Sequence, residues 1–363
     1  MLRQWCPVAI AAVVLVSAVA APIARAQSAP EIPAEIYTRD TEFTESQRQV
    51  IKDFVDHWID LLDDGSAAEI AKARRQLIDQ MAGVGSQLFN TVYSQTVCKA
   101  LEPLLALQDQ LSLRLNALIV ASVLADGCVV NLIATGLGDK SPAVRYWAAR
   151  TAERTAAGLQ PEDQGRLTKV LADAIASEKN EHVVQKLLLA FSQINTAGGV
   201  ESLLAALNRR AAWLASNPDL SPSAELKSIT SVWTNIVLAS TSEPIPPDTI
   251  KKLAVTSHRF MNLAAQMLEM DLTTNWNDDD YVSVLEVSDK VLQWAVENLP
   301  PSREKPDPLD DLIPIKKWAQ VFLRVSEWAE LLSALPYSAE PDQLEVIVGE
   351  PEDDETDGDG AEQ

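Results

Sequence analysis

The stretch Gly138–Ala156, GDKSPAVRYWAARTAERTA, constrains the fold most, because it combines the end of one helix with the start of another. Gly138 stands where a left-handed residue commonly ends a helix. Ser141 offers a hydroxyl group as an N-cap, and Pro142 follows at the first helical position, where its missing N–H costs nothing. The stretch therefore predicts two consecutive helices joined by a short turn.

Two further segments repeat this pattern of an aliphatic residue at a helix start and a small or apolar residue four positions later. The aliphatic anchors are Leu113, Val144 and Val183, which are 31 and 39 residues apart. Residues four apart share one face of a helix, and periods in this range are typical of stacked helical hairpins. The predicted repeat positions are Asp109, Arg114, Ala117, Asp139, Val144, Arg145, Ala148, Val183 and Leu187.

An acidic residue in the turn, followed by Val-Arg and alanines on the next helix, resembles the HEAT-type repeat of α-solenoids. The resemblance covers about Asp109 to Ile194 and weakens at the third unit, where Val184 replaces the arginine. It is strongest at Asp139, Val144, Arg145 and Ala148. The resemblance implies a binding scaffold, because the repeat itself carries no catalytic residues.

Two arginines follow the aliphatic anchors, and they have two possible roles. Arg114 and Arg145 can bond to carbonyl groups of the turns or to Asp109 and Asp139. Alternatively, they are solvated surface residues. We expect the bonded arrangement, because it would fix the turn against the helix that follows it.

Helical periodicity extends from Thr44 to about Leu335, and no run of period-two alternation interrupts it. Thr44–Gln47 and Ser66–Glu69 are capping-box signals. We therefore predict an all-α fold, an α-α solenoid of HEAT-like hairpins whose C-terminal half could be irregular. Six tryptophans are predicted to fill gaps between these helices, although an aromatic binding surface is the alternative. They are Trp213, Trp233, Trp276, Trp294, Trp318 and Trp328.

Composition and periodicity divide the chain into four parts. We predict a signal peptide at 1–26, a flexible leader at 27–43, the helical repeat domain at 44–338 and a disordered acidic tail at 339–363. From Glu340 onward there are eleven acidic residues and no basic ones, a composition that cannot bury a core. The tail either solvates the protein or binds a basic partner or divalent cations.

The N-terminus predicts export. A basic start at Arg3 precedes an apolar run, and Ala24–Ala26 fits a signal-peptidase site, so that Gln27 would begin the mature chain. The alternative is an uncleaved anchor, but the run is shorter than the roughly 20 residues of a spanning helix. The mature chain would have a net charge of −24, from 28 basic and 52 acidic residues. Such a charge disfavours nucleic acid and anionic lipid as partners.

Two cysteines, Cys98 and Cys128, remain after cleavage. Export permits a disulfide between them, and the alternative is a pair of small buried residues on neighbouring helices. The spacing does not decide between the two.

A search for catalytic or metal-binding motifs finds one local match. Asn275, Asn277, Asp279 and Glu286 follow positions one, three, five and twelve of an EF-hand loop. Asp280, however, stands where the loop needs glycine. These four residues are therefore weak calcium candidates, and we favour a turn whose aspartates cap a helix beginning near Tyr281.

The histidines, which are the remaining candidates for catalysis, are isolated from one another in the sequence. His57, His182 and His258 each stand alone in their segments, which is more typical of structural histidines than of a catalytic set. We predict no cofactor and no catalytic residues, and an exported scaffold that binds a protein or envelope component. The alternatives are an exported all-helical enzyme that acts on carbohydrate through two carboxylates, and a purely structural assembly unit.

Overall fold

The computed structural model describes residues 29–82, 85–194, 197–217, 220–239, 245–272, 278–299, 304–334 and 337–346. Within these ranges the protein is all-α and contains no strand. The helices are α1 (Ala34–Tyr37), α2 (Glu45–Asp64), α3 (Ala67–Ala82), α4 (Gln87–Leu105), α5 (Leu111–Ala121), α6 (Val129–Leu137), α7 (Pro142–Thr155), α8 (Pro161–Ser177), α9 (Glu181–Ser192), α10 (Ala197–Ala215), α11 (Ser223–Ala239), α12 (Pro247–Glu269), α13 (Asp278–Asn298), α14 (Trp318–Ser333) and α15 (Pro341–Leu344).

From α2 onward the helices form two layers. The odd layer contains α3, α5, α7, α9, α11 and α13, and the even layer contains α2, α4, α6, α8, α10, α12 and α14. Within each layer a helix packs against the next member, as in α5 with α7 and α8 with α10, and most helices also contact a sequence neighbour in the other layer. This stacking confirms the predicted α-solenoid, in which each hairpin buries its apolar face against the following one.

The stack continues through the C-terminal half, a point that the sequence left open. Helix α10 packs against α12, α11 against α13, and α12 against α14. A buried carboxylate, Asp289, holds the beginning of the last hairpin, since it accepts hydrogen bonds from the Leu309 amide (3.2 Å) and from Trp328 Nε1 (3.3 Å). Residues 304–334 therefore belong to the same body as the helices before them.

Helix starts use the predicted chemistry in part. The capping box at Thr44 and Gln47 is present. Ser141 lies at the N-cap of α7, but its side chain makes no capping bond, and the Asp139 carboxylate instead accepts from the Ser141 amide at 2.7 Å. The expectation for Gly138 is wrong: it has φ −78° rather than a left-handed conformation.

The flexible leader expected at 27–43 is wrong for residues 29–43. Ile32, Ile36 and Phe43 are buried in the core. The Tyr37 carbonyl accepts a hydrogen bond from the Ser86 amide at 2.7 Å. The segment packs because it carries three large apolar residues that cover the otherwise open end of the first hairpin.

The disordered tail expected from residue 339 also needs correction over residues 339–346. Ala339, Leu344 and Val346 are buried, and α15 packs against α12. The acidic composition concealed these apolar residues, which alternate with polar ones. Residues 347–363, which carry most of the acidic run, lie outside the described residues.

A series of arginine–carboxylate contacts joins successive odd-layer helices. Arg114 on α5 pairs with Asp139 in the turn before α7, and both side chains are buried. Arg145 on α7 donates twice to Glu178 in the turn before α9, at 2.7 Å and 3.0 Å. Each guanidinium therefore holds the turn of the next hairpin, whereas Asp109 in the preceding turn is exposed.

Turn carbonyls complete these contacts, as the sequence predicted. Arg114 donates to the Gln108 carbonyl at 2.8 Å, and Arg145 donates to the carbonyls of Asp139 and Lys140 at 3.0 Å each. A guanidinium group can satisfy several acceptors at once because its donors point in fixed directions.

The series changes form at the third unit, where Val184 cannot provide a guanidinium. Arg210 of α10, in the even layer, donates to the Glu178 carbonyl instead. Its Nε also donates to Glu225 of α11 at 2.7 Å, and this pair is almost fully buried. An arginine therefore also links these hairpins, but it lies in the even layer rather than in the odd layer.

Cys98 of α4 and Cys128 at the start of α6 form a disulfide that closes a separation of 30 residues. It joins two neighbouring helices of the even layer. A covalent link of this span restricts the unfolded chain as well as the folded one.

We expect Arg114→Met to lower the free energy of unfolding by about 3–5 kcal/mol, because it leaves Asp139 buried without its partner. The double change Arg114→Met with Asp139→Asn should cost less than the single change. Urea unfolding followed by circular dichroism measures both. Arg166→Met is the control, since the exposed Arg166–Asp163 pair should contribute less than about 1 kcal/mol. Equal losses for Arg114→Met and Arg166→Met would contradict the structural role of the buried pair.

We expect replacement of Cys98 and Cys128 by alanine to lower stability by about 3–4 kcal/mol, from loop-closure entropy over 30 residues. Thermal unfolding of the wild type with and without reductant should show a similar difference. The alanine variant should not respond to reductant. Identical unfolding of oxidised and reduced wild type would contradict this prediction.

Candidate functional site

The weak calcium candidates do not form a site among the described residues. Asp279 and Glu286 both lie on α13, which begins at Asp278. They are seven residues apart, so about 10 Å of helical rise separates them, too far for both to coordinate one ion. Asn275 and Asn277 lie outside the described residues. In the part of the chain that the structure describes, no three His, Cys, Asp or Glu residues are close enough to hold a metal ion.

The three histidines do not converge. His57 is on α2, His182 is exposed at the start of α9, and His258 is buried on α12. His258 Nε2 lies 3.1 Å from the Val325 carbonyl of α14. Burial lowers the pKa of His258 to about 4, so the neutral side chain joins α12 to α14 and has a structural role.

Of the six tryptophans predicted to fill gaps between helices, the five whose side chains are described belong to the core or its margin. Trp328 is fully buried, and the others are partly buried against the core. Those others are Trp213, Trp233, Trp294 and Trp318. Trp276 lies outside the described residues. The core-filling interpretation therefore fits better than an aromatic binding surface.

The aliphatic and small repeat positions serve packing. Ala117, Val144, Ala148, Val183 and Leu187 are all fully buried. The approach of α6 to α7 is so close that a Cβ atom on Gly136 would lie 2.8 Å from the Cβ of Ala148. These positions determine how the hairpins stack rather than what they bind.

A mainly apolar concave surface lies between α9 and α11 and has a volume of about 390 Å³. We call it the α9–α11 groove. Facing stripes of the two helices form its walls, and α10 with the end of α9 forms an apolar floor. The lining residues are Gln185, Leu188, Leu189, Phe191, Ser192, Ile194, Val200, Leu203, Ala224, Lys227, Ser228, Ser231 and Val232.

The groove exists because one wall has short side chains. On α11, Ala224, Ser228 and Ser231 recur at helical spacing and face α9. Short residues cannot reach the opposite wall, so the space stays open where larger residues would close it. On the α9 wall, Leu189 is 38% exposed.

Four successive helices of the odd layer carry more basic than acidic residues, although the chain has a net charge of −22 and α13, the next helix of this layer, carries six acidic residues and one basic residue. Together, α5, α7, α9 and α11 carry six basic and three acidic residues. On α7, the Arg150 guanidinium lies 4.8 Å from the Trp147 ring centre, and Arg154 is exposed. Lys227 is exposed at the rim of the groove.

The groove fits an apolar side chain whose neighbours carry carboxylates. Among the described residues, Lys227 is the only ionisable one that lines it, so the described lining has no pair of groups for acid–base catalysis. Sequence reasoning missed this site. The available signal was the series of small residues on α11 at positions where other helices carry leucine, but a single sequence does not reveal which face of α11 meets α9.

Comparison with known proteins gives limited information. No protein-family model matches the sequence, and no curated protein matches it significantly. A crystal structure of computationally designed armadillo repeat proteins for modular peptide recognition is similar over 75% of this chain and 99% of its own. The identity is 15% and the TM-score is 0.32. Among the described helices, none is both long enough and apolar enough to cross a membrane.

We expect the free energy of unfolding of the wild type to fall between pH 7 and pH 4 by about 3 kcal/mol more than that of His258→Gln, because His258 is buried in its neutral form. The unfolded histidine has a pKa near 6.5, and the folded one has a pKa of about 4. The contribution of the neutral His258 side chain to the free energy of unfolding is therefore fully present above pH 6.5 and decreases as the pH approaches 4. Urea unfolding at several pH values measures the difference. A constant difference between the two proteins would contradict the neutral, buried state.

Proposed function

We propose that this chain is an exported, non-catalytic, HEAT-like scaffold that binds a protein or cell-envelope component through the outer face of its odd layer. The observation that carries the proposal is the α9–α11 groove, an apolar cavity with Lys227 at its rim, among four odd-layer helices that carry more basic than acidic residues. Export rests on the predicted signal peptide at 1–26, and the periplasm or the medium would be the destination.

The HEAT-like assignment is supported by the contacts of Arg114 with Asp139 and of Arg145 with Glu178. In both, the arginine follows an aliphatic anchor and the carboxylate lies in a turn. These contacts hold successive odd-layer helices in a fixed register, so that their outer faces form one continuous surface. A rigid surface made of many helices suits binding of an extended partner, because less conformational entropy is lost on association.

The chemistry of the groove defines the partner. An apolar side chain would enter between Leu189 and Ser231, and a carboxylate beside it would contact Lys227. Further carboxylates would contact Arg150 and Arg154 on α7. The preferred partner is therefore a protein segment with apolar and acidic residues, and charge complementarity would speed its association.

Capture of partners from the exported fraction tests the proposal with two groove variants and two controls. Ser231→Trp fills the groove, and Lys227→Glu reverses the charge at its rim. The controls are Thr135→Trp and Lys169→Glu at exposed positions of the even layer. We expect a partner held by the wild type and both controls to be recovered at least about tenfold less with the groove variants, as for residues central to an interface.

The outcome that contradicts the proposal is a partner recovered equally with Ser231→Trp and with the wild type. That result would place binding elsewhere on the molecule. Recovery that falls with all four variants would indicate loss of folding, which circular dichroism of each variant detects separately.

A further inference from the structure

Residues 337–346 return from α14 and lie against α12, and we call them the C-terminal strap. The Ala339 amide donates to the Leu332 carbonyl at 2.9 Å, which turns the chain back at the end of α14. Tyr337, Leu344 and Val346 are then buried. The strap thus covers a groove between α12 and α14, in the layer opposite the α9–α11 groove.

Two side-chain amides of α12 hold the main chain of the strap. Gln266 Nε2 donates to the Val346 carbonyl at 2.6 Å, and Asn262 Nδ2 donates to the Leu344 carbonyl at 3.4 Å. Gln266 Nε2 also donates to Asn262 Oδ1 at 2.9 Å, so the two amides are oriented together. These contacts involve carbonyl groups only, and any residue type could provide them.

The spacing of the two amides suits two carbonyl groups that are two residues apart, at the point where α15 ends with Leu344 and the chain continues to Val346. Residues four apart on a helix are separated by a rise of about 6 Å, and carbonyl groups two residues apart in an extended chain are separated by about 6.6 Å. Burial alternates accordingly: Leu344 is 3% exposed and Val346 is 4% exposed, whereas Glu345 points to solvent. Helix α12 therefore contacts alternate residues of the strap.

The strap does not fill the groove. A space of about 550 Å³ remains beside it, lined by His258, Phe322 and Val325 together with Leu344 and Val346. A segment with larger apolar side chains at these two positions would occupy the groove more completely than the strap does.

Charge beside the strap is already paired within the helices. Lys251 and Lys252 of α12 line a second depression next to the strap, but Lys251 lies 3.7 Å from Asp248 and Lys252 lies 2.7 Å from Glu201. Glu330 lines the groove that holds Leu344 and Val346. The surface along α12 therefore suits alternating apolar residues and does not select an acidic one.

The turn into the strap is strained. Ser338 has φ 50°, in the left-handed region that residues other than glycine rarely adopt. This strain favours release of the strap, because the released chain can leave that conformation.

We propose that the groove between α12 and α14 is a second polypeptide-binding site, specific for two apolar residues separated by one residue, and that the strap occupies it as an internal competitor. The partner is a segment of another protein with this pattern. Such a segment binds by displacing Leu344–Val346 and by offering its own carbonyl groups to Asn262 and Gln266.

The experiment compares full-length wild type with full-length Val346→Ser, in which the strap is weakened. The probe is a fluorescent peptide of residues 338–346 with an amidated C-terminus, and binding is followed by polarisation. We expect the peptide to bind Val346→Ser at least about tenfold more tightly than the wild type, because a tethered strap competes at high effective concentration. Adding Gln266→Ala to Val346→Ser should weaken binding at least about tenfold, and so should serine at both apolar positions of the peptide.

Several results would overturn the proposal. The first is equal affinity of the peptide for the wild type and for Val346→Ser. The second is no binding of the peptide to Val346→Ser when that variant has the helicity of the wild type. The third is peptide binding that does not change when Gln266→Ala is added. Concentration-dependent dimers of the wild type that Val346→Ser abolishes would identify a second copy as the occupant, and would overturn the assignment to a different protein.

A second measurement is available if Val346→Ser unfolds the last helices. In Gln266→Ala alone, amide exchange in the strap should rise at least about tenfold while exchange in α14 stays unchanged, because the strap opens without global unfolding. Unchanged exchange in the strap would also overturn the proposal.

Discussion

Burial of apolar surface between neighbouring hairpins is the interaction on which this structure depends. A helix such as α7 has one face against α6 in its own hairpin and the flanks of its layer against α5 and α9. No single hairpin is large enough to have a core of its own, so each one is stable only in the stack. The two ends of the stack are exceptions, since each has one open side. Residues 29–43 cover the first end, and the C-terminal strap covers part of the last.

Hydrophobic contact alone would not fix the register of the hairpins, because it has little directional preference. The arginine–carboxylate contacts are directional, and they fix the register of neighbouring hairpins. Arg114 and Arg145 each bond to a carboxylate and to main-chain carbonyls of turns, so a hairpin that slid along its neighbour would leave buried charges unpaired. This fixed register keeps the outer face of the odd layer continuous, and it positions α9 and α11 on either side of an open groove.

The sequence predicted the class of fold because helical periodicity and capping signals are local, and because the repeat from Asp109 to Ile194 uses one pattern. It left open whether the stack continues beyond residue 200. In that part of the chain the arginine–carboxylate contact joins Arg210 on an even-layer helix to Glu225 within α11. An alignment anchored on an aliphatic residue followed by arginine cannot detect this contact. The α9–α11 groove and the C-terminal strap also escaped prediction. A cavity depends on which small residues face a neighbouring helix, and the apolar pair Leu344 and Val346 was hidden by an acidic composition.

Hydrogen exchange of a chain carrying Leu118→Ala tests nearest-neighbour stacking most directly. Leu118 is fully buried on α5, and its truncation should cost about 2–5 kcal/mol. Nearest-neighbour stacking predicts faster amide exchange in α4 to α7, while exchange in α12, α13 and α14 remains at the wild-type rate. An equal increase in every helix would show a single cooperative core and would contradict the solenoid interpretation of stability.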